Sequence, residues 1–498
     1  MKRVLSIAIL VTFATNALGA THAVLPLKGI PKKIALDNLV QVDEAYVGDL
    51  IAEGLFDIGE GFQINPVLAE SVSWKNDGKT LNIKLKKASF SDGQIVTVDD
   101  VTRNLLRCIK HAEEALSLAL LNIEGYLEFV SGKRATLAGL KKISDRELEI
   151  VSTSPSPLLP DALTFSNCHI IKGSGTDLLS GALGTGAYRI DSRTSDKITL
   201  AKRTDYHREN LGPDAIEFRP TDTWGNFDAL KSWATLITME GEPGNAPDFN
   251  KFESSQLGTY QLIFNNARAP FNKEQVRQAI VAALDFHLLA AELGWSKERL
   301  QAGLFPFGMR GFKKREVNRD VAKATQILKQ NGYTEKNPLR FTITIAKSQL
   351  AELEQKVWPR VFAGAPIVAT VELLDQKSLF DRRSAGTYEA LRVAKMPGSV
   401  DGHRLLTSYL SHSKFNTPRS VLPDCDKLIK ASLSIANIDA RYEQYERADA
   451  CLMSHVTLIP LATIQPGYAL LKKPWAINRE SRYNLRPYNV YRWRPDGH

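Results

Sequence analysis

The sequence predicts an α/β protein made of two or three lobes. Patterns typical of strands alternate with patterns typical of helices along all 498 residues, and no internal repeat interrupts them. A chain of this length exceeds what one small hydrophobic core can organise. Its 43% hydrophobic and 24% charged residues are typical of a soluble globular protein.

The N-terminus has the three-part layout of a secretory signal peptide. Lys2 and Arg3 precede an apolar run over residues 4–14, and small residues follow at 17–20. The run is shorter than the roughly 20 residues of a membrane-spanning helix, so a transmembrane anchor is the poorer interpretation. No cysteine follows the run to carry a lipid anchor. We therefore expect residues 1–20 to be a cleaved signal peptide and the mature protein to be periplasmic.

Four cysteines lie in the predicted mature chain, Cys108, Cys168, Cys425 and Cys451. An even number in an exported protein favours disulfides, for which three connectivities exist with four cysteines. We prefer Cys108 with Cys168 and Cys425 with Cys451, because each bridge then stays within one lobe. Four buried free thiols are the alternative. No spacing is Cys-x-x-Cys, which argues against a structural zinc site.

The formal charge of +9 is spread along the chain. The basic clusters are short and are not interleaved with aromatic residues, as a surface for single-stranded nucleic acid would be. We therefore expect a solvated basic surface and no nucleic-acid partner.

The stretch over residues 68–109 predicts strand, turn, strand and helix in that order. Asn76-Asp77-Gly78 supplies residues that tolerate the positive φ of a hairpin turn. The strand that follows alternates apolar and polar residues, as a strand buried on one face does. Thr97 and Asp100 have the spacing of a capping box, which predicts a helix whose apolar positions recur every four residues from Val101.

The same patterns predict the remaining helices and strands. In the first unit they are a helix over 112–130, a strand over 148–151, a hairpin of 188–190 and 198–201, and a strand over 215–218. In the second unit, from about Tyr260, they are strands over 261–264, 339–345 and 368–374, and helices over 273–289, 320–330, 355–362, 424–435 and 439–455.

No pattern of catalytic residues is present in the sequence. It contains neither a Gly-x-Ser-x-Gly nucleophile elbow nor a His-Glu-x-x-His zinc motif. A glycine-rich segment over 181–190 fails as a dinucleotide loop, because Arg189 stands where the third glycine is required. Asp401, His403 and His412 could offer metal ligands, but their spacing fits no metal rule, and ordinary loop hydrogen bonds are the better interpretation. We therefore expect no enzyme, no metal site and no cofactor.

Several stretches, in a fixed order from about Val42 to Leu461, carry a family resemblance. In the first unit they are Leu68-Ala69-Glu70-Ser71 to Trp74, Asp77-Gly78, Phe90, Asp92-Gly93, Asp99-Asp100-Val101, Gly184-Thr185-Gly186-Ala187-Tyr188 and Asp205-Tyr206. In the second unit they are Phe264-Asn265, Ala269-Pro270-Phe271, Val276-Arg277-Gln278-Ala279-Ile280, Asp426-Lys427-Leu428-Ile429 and Leu458-Ile459-Pro460-Leu461. Together they resemble the solute-binding proteins of ABC importers, in the family that handles peptides, nickel and related solutes.

The resemblance implies a two-lobed periplasmic binding protein of type II, similar to cluster C, with mixed sheets and an extra subdomain in the first lobe. The implied first lobe is 21–255 with 466–498, including the subdomain at about 50–168, and the second lobe is 256–465. Such a protein closes over a small solute and delivers it to an inner-membrane ABC permease, with no covalent chemistry. We expect a monomer. A sensor or chaperone-like binding protein of the same fold is the alternative, and an exported hydrolase is a more distant one.

The choice of solute is the point where the chain departs from the family. Peptide-binding members carry an aspartate that pairs with the ammonium of the peptide, and Lys395 stands near its place in the comparable segment 390–398. A buried lysine facing an ammonium would be costly. We therefore expect a peptide-like or anionic solute that is not held through a free amine, with Arg392, Lys395, Met396 and Asp401 as candidate contacts. A surface position for Lys395 is the alternative.

Four aromatic residues could also enclose a solute. They are Tyr260, Phe264, Tyr388 and Trp233. The competing interpretation of each is a place in the hydrophobic core, since large aromatic side chains are more often core than ligand contacts.

Overall fold

The computed structural model describes residues 21–37, 42–59, 63–112, 118–223, 225–240, 243–254, 258–316, 318–396, 401–464, 467–477, 490 and 493–495. The predicted signal peptide lies outside these residues, and so do residues 397–400 beside the predicted solute contacts. Within the described ranges, no helix combines the length and the apolar character that crossing a membrane requires. The names first lobe and second lobe are kept below for the ranges predicted from the sequence.

The first lobe contains two sheets whose strands come from distant parts of the chain. One is a four-stranded sheet in which only the outermost pair, His22–Leu27 with Ala215–Pro220, is parallel; the order continues with Ile198–Lys202 and Tyr188–Arg193. The other is a three-stranded antiparallel sheet with the order Leu236–Glu240, Gly467–Lys472, Phe249–Ser254. The α/β class predicted from the sequence is confirmed, with both strand directions in the first sheet.

The predicted subdomain of the first lobe has an antiparallel sheet of its own. The strand order is Ala69–Lys75, Thr80–Leu85, Glu147–Val151, Leu140–Ser144. The predicted turn is confirmed, since Asn76, Asp77 and Gly78 all have positive φ. The capping box is also confirmed: Thr97 and Asp100 exchange hydrogen bonds and begin the helix Val98–Lys110.

A five-stranded mixed sheet forms the centre of the second lobe. Its order is Ile367–Leu374, Leu339–Ala346, Ala390–Lys395, Thr259–Phe264, Leu458–Thr463. The first three strands are parallel to one another, and the last two are antiparallel to their neighbours. Every residue of Thr259–Phe264 and of Leu458–Thr463 is buried, as expected of strands covered on both faces.

Helices and short strand pairs complete the fold. The α-helices are Val42–Ile51, Val98–Lys110, Tyr126–Val130, Leu159–Ala162, Phe227–Leu230, Glu274–Ala283, Phe286–Glu292, Val321–Gln330, Gln349–Val357, Gln376–Ala385, His403–Thr407, Pro423–Ser432 and Ile438–Ser454. Short 3₁₀ helices lie at Ser166–Cys168, Leu178–Ser180 and Lys297–Arg299. Two-stranded sheets pair Phe56–Ile58 with Ile64–Pro66, Ile171–Lys172 with Leu183–Gly184, and Trp475–Ala476 with Arg494–Pro495.

Two of the predicted helices are interrupted in the structure, and in each case the local backbone conformation explains the interruption. The predicted helix over 112–130 is interrupted: residues 118–120 are helical, 121–125 form turns, and a separate helix begins at Tyr126, because Gly125 has φ +77°, which a right-handed helix does not allow. Residues 113–117 of the predicted helix lie outside the described residues. The predicted helix over 273–289 is two helices, because Leu284 is extended and Asp285 caps the second one by accepting a hydrogen bond from Leu288 N.

The helix predicted over 355–362 begins six residues earlier in the structure. Ser348 caps it by accepting a hydrogen bond from Ala351 N, and the helix runs over Gln349–Val357. The predicted range was wrong because the start of the helix is set by the serine cap, and the buried residues that follow Val357, among them Trp358 and Phe362, continue the apolar pattern beyond the helix.

Both preferred disulfides are present. Cys108 is bonded to Cys168 with a Cα–Cα distance of 4.9 Å, and Cys425 is bonded to Cys451 with a Cα–Cα distance of 5.6 Å. The first ties the helix Val98–Lys110 to a 3₁₀ helix within the subdomain, and the second joins the two long helices of the second lobe. Each bridge stays within one predicted lobe.

Arg203 joins the motif stretches of the first lobe. Its guanidinium donates hydrogen bonds to the main-chain oxygens of Ser89, Phe90 and Gly186 at 3.0–3.1 Å, and it pairs with the carboxylate of Asp205 at 2.9 Å. The side chain is buried. Residues that carry the family resemblance from three separate stretches are therefore neighbours in space, because together they hold one buried cation.

Candidate functional site

The chain passes between the lobes twice at one end of the five-stranded sheet. The first passage lies between Ser254 and Gly258, and the second lies between Ile464 and Gly467. Ile464 N donates a hydrogen bond to Gly258 O at 2.8 Å, so the two passages are joined. We call this place the crossing. A pair of connections held side by side is suited to act as a hinge.

The central strand of the second-lobe sheet presents different side chains to its two faces. Side chains alternate along Ala390–Lys395, as in any strand. Arg392 lies over the ring of Tyr260 and contacts one apolar core. Val393 packs on the other face, against the cluster formed by the helices between residues 403 and 454. We call this second face the inner face, and Lys395 lies on it.

Lys395 ends the strand at the crossing and is partly buried. Its amino group donates a hydrogen bond to Ser408 Oγ at 2.5 Å and lies 3.9 Å from the centre of the Tyr409 ring. In the strand register it stands opposite Thr259, the first residue after the crossing. Burial, and then the charge of Arg383, lowers the pKa of Lys395 to about 7.

A buried polar network lies below Lys395 on the inner face. Tyr409 donates to Gln261 Oε1 at 2.6 Å, and Gln261 donates to Thr259 Oγ1 at 2.8 Å. On the neighbouring strand, Thr463 donates to Gln301 Oε1 at 2.8 Å. These five side chains are at most 1% exposed. The residues beside the crossing therefore have hydrogen-bond partners among themselves. These hydrogen bonds fix the position of the Tyr409 ring under the amine of Lys395.

Asp401 is the centre of a second buried polar cluster. Arg441 donates to its carboxylate from Nε and Nη2 at 3.1 and 3.0 Å, and Tyr445 donates from its hydroxyl. The main-chain N–H of His403 donates to the same carboxylate at 3.1 Å. Burial raises the pKa of Asp401, but the hydrogen bond and charge of His403 and the charge of Arg441 outweigh burial, so the pKa is lowered.

The two lobes contact each other beside this cluster. His403 Nδ1 in the second lobe lies 3.9 Å from Asp161 Oδ2 in the first. The guanidinium of the next residue, Arg404, lies 4.1 Å from the centre of the Phe165 ring. Leu118 of the first lobe also packs against the second-lobe cluster around Leu405. The structure is therefore a closed arrangement in which the inner-face helices meet the subdomain.

Arg392 has a partner inside the second lobe. Its guanidinium is bonded to the carboxylate of Glu354, with an Nε to Oε2 distance of 2.7 Å, and Glu354 also accepts from Trp358 Nε1 at 3.0 Å. Both charged side chains are at least 93% buried. Because Arg392 and Lys395 lie on opposite faces of the sheet, they do not come together around one solute group.

The predicted aromatic contacts are dispersed. Tyr260 stacks on Trp295, with ring centres 5.2 Å apart, and Phe264 stacks on Phe271 at 4.9 Å, both within the core opposite the inner face. Tyr388 is 2% exposed and donates to a main-chain oxygen. Trp233 belongs to an apolar cluster in the first lobe.

Of the predicted contacts, Met396 and Lys395 border the crossing. Met396 is 51% exposed, and its sulfur would lie 2.4 Å from a Cβ added to Gly258. Asp401 lies nearby along the chain, but its carboxylate is paired with the guanidinium of Arg441. His412 is exposed, whereas His403 is buried, so these two histidines have different surroundings.

The sequence did not point to Tyr409, Ser408 or Asp161. Tyr409 and Ser408 lie just past a short helix, where aromatic and hydroxyl residues are common and carry no signal of their own. Asp161 meets His403 only through the packing of the lobes, across 242 positions of sequence. Strand alternation could have shown which neighbours share a face with Gln261, because a strand was predicted over 261–264, but no strand was predicted at Lys395.

Comparison with known proteins gives a consistent result over nearly the whole chain. The family described as "Bacterial extracellular solute-binding proteins, family 5 Middle" matches residues 63–417. The periplasmic oligopeptide-binding protein OppA of Haemophilus influenzae is 23% identical over 91% of this chain and 90% of its own. The probable deoxycholate-binding periplasmic protein YgiS of Escherichia coli is 26% identical over 89% of this chain and 86% of its own.

A solved structure shares the fold. The crystal structure of Haemophilus influenzae OppA in complex with the peptide RPPGFSPFR has a TM-score of 0.76 with this structure, at 20% identity, and covers 96% of this chain and 99% of its own. At this identity the likeness shows the two-lobed fold and not the solute.

Proposed function

Because this chain belongs to family 5 of the bacterial extracellular solute-binding proteins, we propose that it captures a small solute between its lobes and delivers it to the permease of an ABC importer. The contact of His403 with Asp161 carries the proposal, since it brings together lobes that are far apart along the chain. Solute contacts that both lobes make exist only in the closed state, so binding favours closure.

Export and lobe boundaries are part of the same proposal. Residues 1–20 act as a cleaved signal peptide, which suits the periplasmic location named for OppA and YgiS. The first lobe is 21–255 with 466–498, and the second is 256–465. The protein works as a monomer and binds its solute without chemical conversion. Lys395 and Met396 are the solute contacts that we retain from the sequence, because they border the crossing.

The solute that fits best carries an acidic group. Lys395 offers an amino group at the crossing, and in the described part of the chain no carboxylate lies within ion-pair distance of it. The relatives are named for oligopeptides and for deoxycholate, which is itself a carboxylate. A peptide held through its free ammonium would instead place two cations together, which is unfavourable unless one of them loses its charge.

The proposed function is tested with purified protein and small-angle X-ray scattering. A solute should reduce the radius of gyration as the lobes close, and a matched calorimetric titration with di- to pentapeptides, N-acetylated peptides and deoxycholate should identify its class. The proposal predicts saturable binding with no turnover of the solute. Sub-micromolar binding of ordinary free-amine peptides in preference to acidic solutes would refute the acidic solute, and conversion of a solute to product would refute the transport role.

A further inference from the structure

The amino group of Lys395 is unusual because, among the described residues, no carboxylate pairs with it. Its hydrogen-bond acceptor is the neutral Ser408 hydroxyl, which in turn donates to Leu405 O at 2.8 Å. The Tyr409 ring lies beneath the amine, and burial raises the pKa of Tyr409, so that hydroxyl stays neutral. The charged side chain that acts on Lys395 is Arg383, another cation.

Two features make this arrangement suited to a neutral amine in the absence of solute. Burial disfavours the charged form, and the positive charge of Arg383 adds to that effect. The face of the Tyr409 ring attracts the ammonium form, but neither Ser408 nor Tyr409 supplies a full negative charge to offset the other two effects. The pKa of about 7 means that a large part of the amine is unprotonated at neutral pH.

We propose that Lys395 takes up a proton when an acidic group of the solute reaches the crossing, so that solute binding is coupled to protonation of this one side chain. The inference rests on the proposed function, because it assumes that the solute reaches the crossing. A carboxylate beside the amine supplies the missing negative charge, and the ammonium form then becomes the favoured one. The hydroxyl of Ser408 keeps the amine in place in both states.

The sign of the pH dependence follows from this coupling. The amine has a higher proton affinity in the complex than in the free protein, so binding of an acidic solute is strongest below the free pKa of about 7. Above that value each unit of pH weakens binding about tenfold, until the pKa of the complex is passed. A neutral solute of the same shape should show no such dependence.

The free amine is tested without any solute. In protein labelled with ¹³C at lysine Cε, one resonance should titrate near neutral pH, well below the ordinary lysine pKa of about 10.4. That resonance should be missing from Lys395→Met and present in Lys377→Met, whose side chain is exposed and paired with Asp381. A Lys395 resonance that titrates with the other lysines would overturn the proposal.

Proton uptake is tested by calorimetry with N-acetyl-trialanine and with its C-terminal amide as probes. Titrations at pH 8 in phosphate and in Tris, which differ in heat of ionisation, should give an uptake of up to about one proton for the acid and none for the amide. Lys395→Arg should bind the acid with no uptake, because its charge is permanent, and Lys395→Met should lose at least tenfold in affinity for the acid.

The outcomes separate this inference from the function on which it rests. Proton uptake that accompanies binding of the acid and disappears in Lys395→Arg supports the coupling. Binding of the acid without uptake, or binding of the amide alone, overturns the coupling and leaves solute capture intact. Failure of both probes and of every solute in the scattering experiment overturns the two proposals together.

Discussion

His403 Nδ1 of the second lobe lies 3.9 Å from Asp161 Oδ2 of the first, and both side chains are 2% exposed. The contact is available only when the lobes are together, because the two residues belong to different lobes. Arg404 over the ring of Phe165 adds a second contact at the same place. The closed arrangement thus has direct contacts between the lobes that do not involve the solute.

We predict that Asp161→Asn weakens closure and with it the affinity for solute. When the His403 imidazole is protonated, removal of the carboxylate charge should cost about 1 kcal/mol in the closed state, or roughly fivefold in Kd. Small-angle scattering and calorimetry measure the two effects. Asp228→Asn is the control, because that carboxylate is exposed and pairs with Lys231. Equal affinity of Asp161→Asn and the unmodified protein would show that the contact does not influence closure.

The second prediction concerns Gly186, where two main-chain segments approach closely. A Cβ at this position would lie 2.4 Å from Leu50 O and 2.5 Å from the carbonyl carbon of Ile51. Gly186→Ala must therefore displace the end of a helix, and we expect a loss of about 1–3 kcal/mol in the free energy of unfolding. Gly175→Ala, with open space around it, should leave denaturant midpoints unchanged. A fully stable Gly186→Ala protein would contradict the packing described.

The third prediction separates a structural role of Arg392 from a role in solute binding. Arg392→Met leaves Glu354 buried without its cation, which should cost about 3–5 kcal/mol in the free energy of unfolding. Arg360→Met breaks an exposed pair with Glu292 and should cost under about 1 kcal/mol. Chemical denaturation measures both. If Arg392→Met unfolds normally and loses only solute affinity, the sequence-based prediction of a solute contact is correct.

The fourth prediction concerns the pH dependence of stability at Asp449. Burial raises the pKa of this carboxyl to about 6, although Leu304 N donates to it at 3.0 Å. The unfolded pKa is about 3.9, so the folded protein binds the proton more tightly. This group therefore stabilises the fold as pH falls from about 6 to 4, by up to about 1.4 kcal/mol per pH unit.

Asp449→Asn removes that dependence. The gain in free energy of unfolding over the unmodified protein should be largest above pH 6 and should shrink as the pH approaches 4. Unfolding in urea at several pH values measures it. Asp439→Asn, at an exposed carboxylate paired with Arg310, should show no comparable trend. A difference between Asp449→Asn and the unmodified protein that is independent of pH would refute the raised pKa.

Local signals in the sequence were sufficient for much of the fold. Thr97 and Asp100 located a helix start because a capping box acts within four residues, and Asn76 to Gly78 located a turn because the residues themselves permit positive φ. The same reasoning failed where a single residue interrupts a periodic pattern. Gly125 and Asp285 each mark the start of a new helix inside a run of favourable residues, and the apolar spacing continues across both breaks.

The candidate site was harder to predict because its geometry comes from long-range packing. The sequence singled out Lys395 only through the family resemblance, and neither its place at the end of a strand nor its neighbours Ser408 and Tyr409 were predicted. Glu354, which binds Arg392, lies on a helix 38 residues earlier in the chain. Unless the position of that helix is known, the sequence around an arginine that is buried with a partner cannot be distinguished from the sequence around one that binds a solute.

The three-stranded sheet of the first lobe determines the order in which the protein can be completed. Its central strand, Gly467–Lys472, is made after all of the second lobe, whereas the strands on either side of it, Leu236–Glu240 and Phe249–Ser254, are made before. Until the last strand arrives, the two earlier ones expose unpaired edges, which favour association between chains. A ribosome stalled in the second lobe would therefore hold an unfinished first lobe, and completion of both lobes is a late event in synthesis.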